Sequence, residues 1–237
     1  MSWIEKLIAL FTTPPKPRAA EPSPPKPRRK DKMDFDDFKG KAKRIDDEDL
    51  PRVGATIGVG EDEIHAVLDV EARGSGFDRQ GRPKMLFEPH IFHRMLKGEE
   101  REKAIKLGLA YPRWKRNYPK DSYPRLKEAM KINPEAALKS ASWGLGQVMG
   151  FNHGAAGFST VFEMVHAFMD DEEAHLEAMV SFIVTNGLDD ELRRHDWRGF
   201  ARGYNGASYH VHGYHTRLER AFRKWAGIRD TPYTRVA

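Results

Sequence analysis

From about residue 45 onward, apolar side chains recur at intervals of three and four, so the chain reads as a series of short helices. Leu50, Val53 and Ile57 share one side of the first, which Asp46 or Asp47 caps and Gly58 ends. A second helix opens near Asp62 and carries Ile64, Val67, Leu68 and Glu71 on one face. The stretch from Phe77 to Glu88 contains a Gln80-Gly81 turn followed by the apolar run Met85-Leu86-Phe87, a pattern that predicts a small hairpin. Beyond Pro89 the periodicity predicts helices over 89–97, 124–131, 134–140, 144–150, 160–169, 171–186, 190–195, 197–204 and 209–226. Residues 98–123, charged and aromatic, read as loop-rich. No internal repeat and no sustained heptad occurs, which argues against a solenoid or a long coiled coil. The expected fold is mainly α (α+β), a helical domain with one small β-hairpin.

Before residue 45 the pattern is different. Residues 12–27 hold seven of the fifteen prolines among Lys, Arg, Ala and Ser, an extended linker composition that cannot close a core. Residues 1–44 carry twelve Lys and Arg against six acids, whereas 45–237 are nearly neutral. The basic balance therefore belongs to the tail. Its charge favours an anionic surface without choosing among them, and the near-neutral remainder argues against specific nucleic-acid binding. Residues 1–11 are apolar at Ile4, Leu7, Ile8 and Phe11, which suits either an interfacial amphipathic helix or a loosely ordered terminus. The run is too short to cross a bilayer, and with Glu5 beside Lys6 it makes a poor secretory signal. The expected organisation is a disordered, Pro-rich basic tail over 1–44 and one folded domain over 45–237.

The chemistry concentrates at Glu71. Three of the four residues on its helical face are Ile, Val and Leu, so its carboxyl occupies a core-facing position where lost hydration penalises the charged form. A carboxyl that keeps its proton near neutral pH is what general-acid catalysis requires, and Gly74 and Gly76 just beyond it would let a chain substrate approach. An ordinary reading stands beside this one, in which Glu71 ends its helix and pairs with Arg73. Asp78 and Glu88 are candidate second carboxylates, and each also fits an ordinary role in a turn or at a strand end.

The absence of cysteine excludes disulfides, thiolate metal sites and a Cys nucleophile. His210, His212 and His215 lack an HExxH setting, no Gly-x-Ser-x-Gly elbow occurs, and the glycines of 54–60 lack the lysine of a phosphate loop. Neither a metal nor another cofactor is called for.

Four segments in order resemble the N-acetylmuramidase domain of phage endolysins and bacterial wall hydrolases, which is lysozyme-like. They are Val70-Glu71-Ala72-Arg73-Gly74-Ser75-Gly76-Phe77; Gly81-Arg82-Pro83-Lys84-Met85-Leu86-Phe87-Glu88-Pro89-His90; Ala141-Ser142-Trp143-Gly144-Leu145-Gly146-Gln147-Val148-Met149-Gly150-Phe151-Asn152; and Phe200-Ala201-Arg202-Gly203-Tyr204-Asn205-Gly206. The family usually has Ser after the catalytic Glu and Arg where Pro89 stands, so the chain departs at Ala72 and Pro89.

The resemblance implies a lysozyme-like fold with its β element at the active-site cleft. It also implies a glycoside hydrolase of peptidoglycan, with Glu71 as general acid for the β-1,4 bond from N-acetylmuramic acid to N-acetylglucosamine. Glu88, Gln147, Tyr204 and Asn205 become candidate substrate-binding residues, Tyr204 and Asn205 facing Glu71, while Trp143 reads as core. The expected partner is the peptidoglycan glycan strand, met by a monomer at the wall, in the periplasm or outside the cell. Lytic transglycosylation and non-catalytic wall binding are the alternatives.

Overall fold

The three-and-four periodicity becomes helix. The structure, a computed structural model, describes residues 35, 37–72, 74–115, 117–206 and 209–233. The 1–11 segment and the proline-rich stretch after it lie outside the described residues. Among those described, eleven α-helices accompany a single three-stranded antiparallel sheet, the mainly helical fold expected. None of these helices is long and apolar enough to cross a membrane. The chain divides into two compact units where a single domain was expected.

One unit contains the described parts of 45–74 and 179–233. Helix α1 (Asp49–Thr56) leads into α2 (Glu61–Glu71). Helix α2 starts at Gly60, whose N–H donates to the Glu63 carboxylate at 2.9 Å, and three acids in its first turn suit the positive end of a helix dipole. Further along the chain come α9 (Asp189–Arg193), α10 (Trp197–Asn205) and α11 (Tyr214–Trp225). Helix α11 lies along α2, where Trp225 stacks on His65 with ring centroids 3.7 Å apart and donates its indole N–H to Asp69 at 2.9 Å. The Asp196 side chain caps α10 by accepting from the Gly199 N–H at 2.9 Å. Gly206, with φ of 78°, ends it.

The other unit spans the described part of 35–44 and residues 75–178. Its sheet has the order β1 (Met85–Phe87), β2 (Ala141–Trp143), β3 (Val148–Met149), with Leu86 opposite Ser142. Around it lie α3 (Pro89–Met95), α4 (Gly98–Lys106), α5 (Tyr123–Met130), α6 (Pro134–Lys139) and α7 (Val161–Asp170). Helix α8 (Glu172–Thr185) gives its first half to this unit and its second half to the other. Phe38, Phe87, Phe92, Leu126, Leu138, Trp143 and Phe168 form the core, so Trp143 is a core residue as read from sequence.

Several expectations are corrected. The tail does not end at 44: Phe38 is fully buried, 5.0 Å from Tyr123 and 5.9 Å from Trp143 between ring centroids, and the Lys43 carbonyl accepts from the Glu172 N–H at 2.9 Å. The expected hairpin within 77–88 is reduced to a tight antiparallel turn, in which the Asp78 N–H donates to the Arg82 carbonyl at 2.8 Å and the Lys84 N–H to the Gly76 carbonyl at 2.6 Å. There a short bridge between Phe77 and Pro83 closes a turn, and Met85–Phe87 pairs instead with the distant 141–143. Residues 144–150 are not a helix, because Gly144 and Gln147 adopt φ of 68° and 49° and turn the chain from β2 into β3. Within the stretch read as loop-rich, 98–106 is helical although it buries only Ala104. Glu99 and Glu100 at its start and Lys103 and Lys106 at its end suit the helix dipole. The helix expected over 209–226 breaks at Gly213, where φ is 60°.

Candidate active site

Glu71 is the last residue of α2 and is 4% exposed. The face predicted for it is present, with Ile64 and Val67 fully buried, and Ala66 and Val70 extend the buried arc around the helix. Ala72 follows in extended conformation, closing the helix with an N–H bond to the Leu68 carbonyl at 2.8 Å.

Asn205 meets Glu71 within the same unit. Its side-chain N–H donates to Oε1 of Glu71 at 3.0 Å, and Asn205 is itself 3% exposed. As the last residue of α10, it arrives from a second helix C-terminus. The preceding Tyr204 is buried, stacked on Phe200 at 5.3 Å and edge-on to Phe182 at 5.9 Å. Burial, and after it the Glu71 carboxylate, push its hydroxyl upward, so it stays a neutral phenol. The helical repeat explains this placement: Phe200, Ala201 and Tyr204 lie on the inner face of α10, and Asn205 sits at its border.

In the other unit Glu88 is fully buried. It precedes α3, and its Oε2 accepts the Tyr118 hydroxyl proton at 2.5 Å, with His90 Nδ1 3.3 Å away. Its other oxygen, Oε1, is buried without a hydrogen-bond partner. Its outward reach is through Tyr118, whose hydroxyl is pushed up by burial and then by the bond to Glu88. Tyr118 escaped the sequence reading because it lies in an irregular stretch with no periodicity to flag it. Pro89, where the family usually has Arg, fits the first turn of α3 because that position needs no N–H donor.

Gln147 turns inward on its own hairpin. Its amide N–H groups donate to the carbonyls of Gly144 at 2.8 Å and Lys84 at 3.3 Å, and its carbonyl accepts from Ser142 at 3.1 Å. These bonds hold the turn and leave little capacity for a sugar. Asp78 is similarly engaged by the N–H groups of Gln80 and Arg82 and by the Arg82 guanidinium. Asp78 is thus committed to its own turn, whereas Glu88 keeps one oxygen without a partner.

The glycines after Glu71 have different uses. Gly74, with φ of 72°, stands in open space and is required by its backbone angle. Gly76 packs against His175, whose ring would overlap an added methyl group, so its need is close packing and not substrate approach. The Gly76 N–H and the Ser75 hydroxyl both donate to Glu172, which also pairs with Arg44 at 2.7 Å. Fully buried His175 accepts from the Leu145 N–H at 3.2 Å and bonds the Phe168 carbonyl at 2.7 Å, an arrangement that fits a neutral ring. Burial pushes His175 down to about 4.

Comparisons with known proteins agree with this architecture. A family model described as Muramidase, N-acetylmuramidase, matches residues 61–226, from the first residue of α2 to one past the end of α11. A Burkholderia AP3 phage endolysin of known crystal structure is 34% identical, aligned over 82% of this chain and 76% of that chain, with a TM-score of 0.73. No match occurs among curated proteins.

Proposed function

Because the chain belongs to the N-acetylmuramidase family, we propose that it is a peptidoglycan glycoside hydrolase whose general acid is Glu71. The bond assigned to it is the β-1,4 link from N-acetylmuramic acid to N-acetylglucosamine. The observation that carries this reading is the buried pair of Glu71 and Asn205 at 3.0 Å. Burial disfavours the charged carboxylate, and α2 and α10 both present their C-terminal, negative ends at this point. The Asn205 amide is a neutral donor and stabilises the charged form less than a cation would. All three facts favour a carboxyl that carries its proton until a substrate needs it.

In the reaction so assigned, Asn205 orients the carboxyl through Oε1. Glu71 gives its proton to the glycosidic oxygen as the bond to the muramyl anomeric carbon breaks; water then adds to that carbon, and the proton it sheds restores the acid. The neutral Tyr204 phenol adds no second negative charge beside the carboxyl. The engagement of Asp78 in its turn and the full burial of Glu88 favour a second reading, lytic transglycosylation, in which the muramyl 6-hydroxyl replaces water. The substrate places the action at the cell wall, in the periplasm or outside the cell, and the basic tail would add contact with an anionic surface.

Purified sacculi test both readings. Wild-type protein should release reducing ends and Glu71→Gln should not; equal lysis by the two would remove the assignment. Mass spectrometry of the fragments separates the mechanisms, since a predominance of anhydromuramyl ends would select transglycosylation over hydrolysis.

A further inference from the structure

Helix α10 carries two exposed cations beside the Glu71 contact. Its buried residues are Trp197, Phe200, Ala201, Tyr204 and Asn205, whereas Arg198 and Arg202 are exposed. At 100° per residue, Arg198, Arg202 and Asn205 follow the i, i+4, i+7 spacing of one stripe, so the arginines adjoin the border where Asn205 reaches Glu71. With a rise of about 1.5 Å per residue, Arg202 stands roughly 4.5 Å and Arg198 roughly 10 Å back along the axis from Asn205.

Four other cations of this unit are compensated. Arg193 pairs with Asp189, Arg194 with Asp190, Arg223 with Glu219 and Lys224 with Asp69. Among the described residues, Arg198 and Arg202 make no ion pair or hydrogen bond. Two uncompensated guanidinium groups one turn apart repel each other mildly and remain available for an anion.

We propose that Arg198 and Arg202 form a subsite for the carboxylates of the stem peptide borne by the muramyl residue whose bond Glu71 cleaves. The proposal rests on the reading of Glu71 as the acid for a muramyl linkage. In that residue the cleaved bond leaves C1 and the peptide hangs from the lactyl group on C3, so the stem emerges within one sugar ring's width of the acid. Its carboxylates match the planar guanidinium fork, whose N–H groups donate to two oxygens at once. The pair would thus select peptide-bearing strands over bare glycan.

The test compares cleavage of peptide-bearing glycan strands with cleavage of strands whose stems an amidase has removed, expressed as a ratio of kcat/KM. Wild-type protein should favour the peptide-bearing strands. The Arg198→Gln/Arg202→Gln double variant should lower the ratio roughly three- to tenfold, as expected for exposed charge-assisted contacts, and Arg198→Lys/Arg202→Lys should restore part of it. Arg220→Gln, an exposed charge loss on α11, should leave the ratio at its wild-type value. A double variant with the wild-type ratio overturns the subsite, as does an equal loss on both substrates. Loss of adsorption to anionic phospholipid vesicles with an unchanged ratio overturns it in favour of a lipid surface. Failure of the wild-type protein to cut either strand is a distinct result, because it removes the reading of Glu71 first.

Discussion

Glu71 and Glu172 are the same residue type, both almost without exposed surface, and their surroundings differ in nearly every respect. Glu71 ends a helix and meets a neutral amide. Glu172 begins a helix, pairs with the Arg44 guanidinium and accepts from the Gly76 N–H and the Ser75 hydroxyl. The helix dipole opposes a negative charge at the first and favours it at the second, where the Arg44 guanidinium also offsets burial. Burial alone therefore does not make a catalytic acid. The surroundings decide: Glu172 is set among a guanidinium, an N–H and a hydroxyl that favour its charge, whereas Glu71 sits at the negative end of its helix beside a neutral amide.

Exchange of each carboxyl for an amide separates the two roles. Glu71→Gln should lower kcat on sacculi by about 10²- to 10⁴-fold, the usual worth of a general acid, while thermal unfolding stays at or above the wild-type midpoint. Glu172→Gln should do the reverse. It strips a buried anion from its donors and should cost about 2–4 kcal/mol in urea unfolding, with the folded fraction still active. A Glu172 variant that unfolds like wild type but does not cleave would break the comparison.

His175 sharpens the Glu172 side through pH. Its folded value lies near 4, against 6.5 for the free side chain, so between these values the unfolded chain binds more protons. Its stabilising contribution is complete above about 6.5 and is lost as pH falls toward 4. The loss should total about 3 kcal/mol, at 1.4 kcal/mol per pH unit. Urea midpoints measured across this window should show the slope in wild-type protein and a flatter line in His175→Phe. Smaller still, Gly76→Ala should cost about 1–3 kcal/mol because the ring of His175 must shift. Gly74→Ala should cost about 1 kcal/mol from its backbone angle alone. Equal and negligible effects at the two glycines would contradict the packing role given to Gly76.

The legible parts of the molecule are those governed by local rules. The helical count put Glu71 on a buried face, and the apolar repeat from Trp197 to Tyr204 marked α10, because both depend on spacing along one helix. What escaped depends on partners distant in sequence. Met85–Phe87 looked like half of a hairpin, yet its partner strand is 141–143. Phe38 sits after a proline-rich stretch and is core only because Tyr123 and Trp143 receive it. Helix α4 buries one alanine, so no apolar stripe announced it.

The site divides along the same line. Asn205 was expected to face Glu71 and bonds it. Gln147 and Glu88 were expected at the substrate and are engaged within the fold, Glu88 passing its influence to Tyr118. The roles of Gly76 and Glu172 were invisible, because a glycine against a histidine and a carboxylate beneath a backbone N–H leave no spacing signature.

The most direct test of the central claim follows the carboxyl carbon signals of Glu71 and Glu172 by ¹³C NMR as pH is varied, assigned through the two Gln variants. The expected result is that Glu71 gives up its proton at a higher pH than Glu172 and above the ordinary glutamate value of about 4.3. A Glu71 signal that titrates together with Glu172, at or below that ordinary value, would contradict it.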